Sequence, residues 1–433
     1  MNAAWLVNGC PAQPVEVNLV ARLFPLFRGG TRRIRAHALG VFGGVALALL
    51  LAATGTTANA APLYPVPDPD PFYAAPPDLG AHSPGDVLDV RALPPVPLFP
   101  GATATLVKFR SNDSHGGPIA ATTTVITPLL HQPDAPLLSY QHFINSLGTQ
   151  CAVSHALYSG DLNLGSTVSM LNAVLQQGWS IALPDHLGPQ LALGAARLGG
   201  QIVLDGIRAV KRLPDLAVQN SPVALAGYSG GGLATGWAAV LQPTYAPELR
   251  LQGAALGGTP ENLISMAQGI GFAPHPAFGL AMAAAIGLER EYPDQMPTSA
   301  YLNQRGLELR GAMANSCTNE IIAVGANGSA SDFVTSTSFV DSRVARSVVE
   351  ENSLELYPGV PQIPMFEWHS PGDPLIPVDS INNTDHHWCG AGVQLRTMEV
   401  SVPEHLTAAV LGAPEVLGWL EGRMRGEPAP VAC

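Results

Sequence analysis

Val223-Ala224-Leu225-Ala226 is an apolar run that ends in Gly227-Tyr228-Ser229-Gly230-Gly231 and continues into Gly232-Leu233-Ala234-Thr235-Gly236-Trp237-Ala238-Ala239-Val240, which reads as a helix. A buried strand that turns sharply through glycines into a helix holds one side chain exposed at the turn, and here it is Ser229. The pattern is G-x-S-x-G, with Gly227, Tyr228 and Gly231 framing the serine. In a chain with 45 glycines the five letters alone are a weak signal. Their context has to decide.

That context is an alternation of helix and strand. Residues 167–177 set Val168, Leu171, Val174 and Leu175 on one helical face, Gly178 ends the helix, and residues 179–183 read as a buried strand. Residues 201–212 form the next amphipathic helix, before the strand that leads to Ser229 and a further strand at 251–257. Such repetition implies βαβ units and a mainly parallel sheet covered on both faces. Upstream, residues 102–110 and 119–127 are rich in β-branched residues around a turn at 111–117, which predicts an antiparallel hairpin, and 136–141 is a short strand. From Pro260 to about Val344 the alternation breaks into Gly- and Ala-rich apolar segments, read as a helical insertion over the site. The alternation resumes with strands at 363–368 and 394–400 and a closing helix from about 415 to 424.

The first sixty residues differ in kind. Arg28, Arg32, Arg33 and Arg35 precede an apolar run from Ala38 to Ala53, and Ala58-Asn59-Ala60 supplies small residues at a cleavage site. This is the order of a secretory signal peptide, and the run is short for a membrane span. The expected organisation is therefore a signal peptide over 1–60 and an extended Pro-rich arm over 61–101. A first core part over 102–259, a helical cap over 260–344 and a second core part over 345–433 follow. The first sixty residues hold five of the 21 basic residues and one of the 33 acidic ones, which leaves 16 against 32. A net charge near −16 argues against nucleic acid or an anionic membrane as a partner, and no stable membrane insertion is expected after cleavage. No oligomeric state is legible. Cys151, Cys317, Cys389 and Cys433 remain in an exported chain, which suggests two disulfides among three possible pairings.

A serine hydroxyl is a poor nucleophile at neutral pH and needs a base within hydrogen-bond reach and an acid to orient that base. In α/β-hydrolase topology these follow in the order Ser, Asp or Glu, His at the ends of successive strands. Asp373 lies in a turn just past the 363–368 strand, and His405 follows the 394–400 strand. Asp379 and Asp385 lie further from the strand end, and Glu367 lies inside it. Gly230 is the expected first oxyanion donor, and Asn145, in the loop after the 136–141 strand, the second. Asp385, His386, His387 and Cys389 match no metal-ligand spacing, so neither metal nor organic cofactor is expected.

Several blocks in order, Asp70-Pro71-Phe72-Tyr73, Ser139-Tyr140-Gln141, Pro184-Asp185 with Gly188-Pro189, residues 203–209 and the segment around Ser229, resemble the secretory lipase family of Candida-type secreted lipases. The resemblance implies an α/β-hydrolase fold with an inserted helical cap, a triad of Ser229, Asp373 and His405, and an acyl-binding tunnel under the cap. It also implies disulfides Cys151–Cys317 and Cys389–Cys433. Three positions depart from the family: Asn145 stands where Asp is usual, and His186-Leu187 where an aromatic and an acidic residue are common. The expected activity is a secreted serine carboxylic-ester hydrolase acting on acylglycerols or similar fatty-acyl esters. Acyl transfer by the same triad and a catalytically silent binding protein of this fold are the alternatives.

Overall fold

The computed structural model describes residues 60–336, 338, 342–430 and 433; the expected signal peptide lies, but for Ala60, outside them. Nine strands form one sheet: β1 (Val87–Leu93), β2 (Ala102–Asn112), β3 (Pro118–Pro128), β4 (Leu137–Gln141), β5 (Ser180–Pro184), β6 (Val223–Tyr228), β7 (Leu251–Gly257), β8 (Met365–His369) and β9 (Leu395–Glu399). Their order is β1-β2-β3-β5-β4-β6-β7-β8-β9. The β2–β3 hairpin is antiparallel, as its turn signal predicts, and from β5 to β9 every pairing is parallel. Residues 87–93, read from sequence as part of the extended arm, instead pair with β2 as the edge strand.

The helices are α1 (Val153–Ser159), α2 (Gly165–Gln176), α3 (Ala196–Lys211), α4 (Gly230–Tyr245), α5 (Leu263–Ile270), α6 (Phe278–Glu291), α7 (Gln304–Met313), α8 (Thr318–Gly325), α9 (Ala330–Phe333), α10 (Arg343–Glu351), α11 (Val378–Gly390) and α12 (His405–Met424). Successive side chains of a strand point to opposite faces, and β6 shows what that does. Val223 and Leu225 join a core with α3, α4 and Trp388 of α11. Ala224, Ala226 and Tyr228 join the other, with α1, α2 and α12. A sheet buried on both faces explains why its parallel strands read as unbroken apolar runs. A third core gathers Phe278, Met282 and Ile286 of α6 with Leu309 and Met313 of α7, Ile321 of α8, and Leu147 from the loop after β4.

The closing helix begins at His405, not near 415, because Glu404 caps it by accepting the N–H groups of Leu406 and Thr407, and Pro414 is accommodated inside. Helix α3 starts five residues before the expected 201 and runs through Gly199-Gly200, where a Cβ on Gly200 would stand 2.8 Å from the α4 backbone.

Disulfides join Cys151 to Cys317 and Cys389 to Cys433. The first closes a loop of 166 residues and ties the segment after β4 to the start of α8. Glu367 within β8, and Glu261 and Asp385 beside it, are buried carboxyls. Burial raises Glu261 well above the usual carboxyl range, with the Asp385 charge adding to it. Asp385 is pushed up to about 9, by burial first and by Glu367 second.

Replacing Cys151 and Cys317 together by Ala should remove about 2–5 kcal/mol from the unfolding free energy, read by denaturant titration; an unchanged midpoint would mean the cross-link constrains nothing. Unfolded carboxyls ionise near pH ~4, whereas Asp385 in the folded chain holds its proton to about pH 9. Between those values the folded state binds more protons than the unfolded, so the contribution of this group is full at low pH and declines as pH rises. Asp385→Asn should therefore gain stability over the parent by more than about 1 kcal/mol at alkaline pH, with the difference shrinking towards pH ~4. A difference that does not vary with pH would contradict this.

Candidate active site

Between the last residue of β6 and the first of α4, Ser229 adopts φ 56°, ψ −127°. For a residue with a side chain this conformation costs about 1–3 kcal/mol and persists only where its surroundings over-determine it. They do so here. The Ser229 N–H donates to the Gly257 carbonyl of β7 at 2.8 Å, and the Ser229 carbonyl accepts the Leu233 N–H at 3.0 Å, which starts the helix. The two outer glycines of the motif are required by contact: a Cβ on Gly231 would lie 1.9 Å from the Gln141 carbonyl oxygen, and one on Gly227 would lie 2.5 Å from both the Gly231 carbonyl and Thr235 Oγ1.

Asp373 lies in the turn after β8. Its Oδ1 accepts the N–H groups of Leu375 and Ile376 at 2.9 and 3.0 Å, and its Oδ2 meets His405 Nδ1 at 2.6 Å. Burial alone would raise this carboxyl, but the hydrogen bond and charge of His405 and the two backbone donors outweigh it and hold the group below its usual value. An ionised carboxylate only accepts, so the proton of a neutral His405 sits on Nδ1 and Nε2 keeps its lone pair. That Nε2 is buried and has no protein partner among the described residues. His405 is the first residue of α12, and its carbonyl accepts the Tyr228 hydroxyl at 2.6 Å while the two rings pack 5.0 Å apart. The residue before Ser229 thus holds His405, a role that no sequence signal announced.

The loop after β4 brings Asn145 beside the elbow. Asn145 has φ 39°, in the left-handed region that Asn enters more readily than most residues. A Cβ on Gly230 would fall 2.4 Å from Asn145 Oδ1, so the two candidate oxyanion donors are neighbours. His186 lies behind this loop and donates from Nε2 to the His142 carbonyl at 2.8 Å. Burial lowers the His186 imidazole to about 4, and burial with the neighbouring His186 lowers His142 to about 3. Both rings are neutral at pH 7. The departure at His186 therefore adds no charge to the site and supplies the loop with a donor.

Ser229, Gly230, Asn145 and His186 open onto a cavity of about 270 Å³. Its walls are Leu263, Met266 and Ile270 of α5, Phe278, Met282 and Leu288 of α6, and Leu375 and Ile376 beside Asp373. The other candidate acids face elsewhere. Glu367 pairs with His369 at 2.7 Å, Asp385 belongs to the buried carboxyl group, and Asp379 is exposed on α11. Cys389, considered as a metal ligand, is bonded to Cys433.

Residues 159–431 match the family described as secretory lipase. The chain is 33% identical to lipase 6 of Candida albicans over 390 residues, covering 85% of this chain and 83% of that protein. A probable trichothecene esterase of Stachybotrys chartarum is 28% identical over 92% of this chain and 85% of its own. Among solved structures, Candida antarctica lipase A in its closed state superposes with a TM-score of 0.79 at 27% identity, covering 86% of this chain and 89% of the other. A rice cell wall degrading esterase of Xanthomonas oryzae, at 13% identity and a TM-score of 0.65, shares the fold. With one mainly parallel sheet, helices on both faces and these relatives, the chain has the α/β-hydrolase fold and belongs to the secretory lipase family.

Proposed function

We propose that the protein is an exported serine carboxylic-ester hydrolase that cleaves acylglycerols or related fatty-acyl esters through an acyl-enzyme on Ser229. The observation that carries this reading is the buried His405–Asp373 pair, 2.6 Å apart, packed through Tyr228 against a serine held at positive φ at the mouth of an apolar cavity. In the proposed reaction Ser229 Oγ attacks the ester carbonyl as His405 Nε2 takes its proton. Asp373 keeps the imidazole in the Nδ1–H tautomer and stabilises the imidazolium. The tetrahedral oxyanion is held by the Gly230 and Asn145 N–H groups. Collapse releases the alcohol, which receives the proton from His405. Water then attacks the acyl-enzyme with His405 as base and frees the fatty acid and Ser229.

The substrate class follows from the walls. A cavity lined by Leu, Met, Ile and Phe stabilises an alkyl chain by removing it from water, and offers little to a peptide or a sugar. Lipases and an esterase among the relatives agree with an ester carbonyl as the reacting group. Export is supported by the order of basic, apolar and small residues over 1–60, by two disulfides and by the family. Among the described residues no helix is long and apolar enough to cross a membrane.

The test is covalent labelling with a fluorophosphonate together with hydrolysis of nitrophenyl and glycerol esters. The parent should label at one site and hydrolyse esters. Ser229→Ala should not label and should lose at least about 10³-fold in kcat with its unfolding midpoint unchanged. Equal labelling of both proteins, or none of either, would remove the proposal.

A further inference from the structure

Of the two proposed oxyanion donors, Gly230 is fixed by the helix it begins, whereas Asn145 lies in a loop. The Asn145 N–H shares a peptide plane with the Ile144 carbonyl, and in a trans peptide the two point in opposite directions. Whatever holds the Ile144 oxygen therefore aims the Asn145 hydrogen. That oxygen accepts the Thr318 hydroxyl at 2.5 Å. Thr318 is 7% exposed and is the first residue of α8, a different element 174 positions along the chain.

The restraint opposes a local preference. Asn145 sits at φ 39°, and rotating the Ile144–Asn145 peptide would return it to the negative φ that residues with side chains favour. For a donor that faces the reacting oxygen, the same rotation would put the Ile144 oxygen in the place of the Asn145 N–H. The three residues before Thr318 are themselves tied to this loop. Cys317 is bonded to Cys151, the Leu147 N–H donates to the Ser316 carbonyl at 3.0 Å, and Gln150 Nε2 donates to the Asn315 carbonyl at 2.5 Å.

We propose that Thr318 is a positioning residue for the oxyanion hole: its hydroxyl holds the Ile144–Asn145 peptide in the orientation that presents the Asn145 N–H to the reacting carbonyl oxygen. The hole is then assembled only while α8 is seated on the loop after β4. This rests on the ester-hydrolase reading above, because an oxyanion donor matters only if an oxyanion forms. The effect belongs to the transition state, so it should appear in kcat and not in KM.

The experiment compares the parent with Thr318→Val, which deletes the hydroxyl and keeps the shape, and Thr318→Ser, which keeps the hydroxyl. If the parent neither labels with a fluorophosphonate nor hydrolyses nitrophenyl butyrate, the ester-hydrolase reading fails before Thr318 is tested. Given an active parent, Thr318→Val should lose about 10- to 100-fold in kcat with KM within about threefold, and Thr318→Ser should recover to within about threefold of the parent. Affinity for a trifluoromethyl ketone, whose hemiketal carries the oxyanion, should fall in parallel with kcat. Should Thr318→Val fail to fold, Thr318→Ala is measured against Thr318→Ser in the same two assays. The proposal is overturned if the hydroxyl-free variant matches the parent in kcat, if the Ser variant is equally impaired, if the loss lies in KM, or if ketone affinity does not change.

Discussion

The close approach of three backbones at the end of β6 governs the site. The Gln141 carbonyl of β4 passes so near to Gly231 of α4 that no side chain fits between them, and the same turn leaves Ser229 at φ 56°. Because β4 and β6 are adjacent parallel strands, their carboxyl ends emerge side by side. The loop after β4 consequently runs past the start of α4, which is how Asn145 comes to stand against Gly230. Strand order, glycine placement and the position of the loop are one constraint seen at three levels. A sheet with another strand between β4 and β6 would carry the same Gly-x-Ser-x-Gly segment with nothing beside it.

Arg290, near the end of α6, fastens the cap to that frame. It is 3% exposed and donates to the backbone carbonyls of Leu63, Leu147, Gln190, Leu191 and Ala314. A planar guanidinium presents five N–H donors in a fixed fork, and here the fork joins the N-terminal arm, the loop after β4, the loop after β5 and the end of α7. Desolvation is the cost, and it lowers the group to about 10, which still leaves it charged at neutral pH. A lysine offers three donors from a single point and cannot span the same carbonyls.

The core was legible because its signals are local and redundant. The β2–β3 turn, the glycine after α2 and the apolar runs of β5, β6 and β7 each encode their own element, and the order of Ser229, Asp373 and His405 along the chain matches their order across the sheet. What was not legible depends on partners distant in sequence. The start of α12, ten residues before the expected 415, is set by the Glu404 side chain. Strand β1 was hidden in a proline-rich stretch because an edge strand alternates weakly and is defined by pairing with β2. The hydrogen bonds of Tyr228 to His405 and of His186 to His142 join residues 177 and 44 positions apart, and no spacing rule signals either. The helices α7, α8 and α9 are short and lean on α6 and Leu147 in place of a strong amphipathic face of their own.

The cavity wall and the loop of Asn145 are therefore not separable parts. Helix α6 carries Phe278, Met282 and Leu288 on the wall of the cavity, and two residues past Leu288 it carries Arg290, which holds the Leu147 carbonyl in the loop of Asn145. Leu147 in turn is buried in the same apolar cluster as Phe278 and Met282. A substitution that refits the cavity by moving α6 must move the loop as well, whereas one that changes a side chain tip and leaves the helix axis in place does not. Tightly packed interiors transmit such shifts instead of absorbing them. A change at Met266 on α5 leaves the loop in place as well, because that helix touches the cavity and has no bond to the loop after β4 among the described residues.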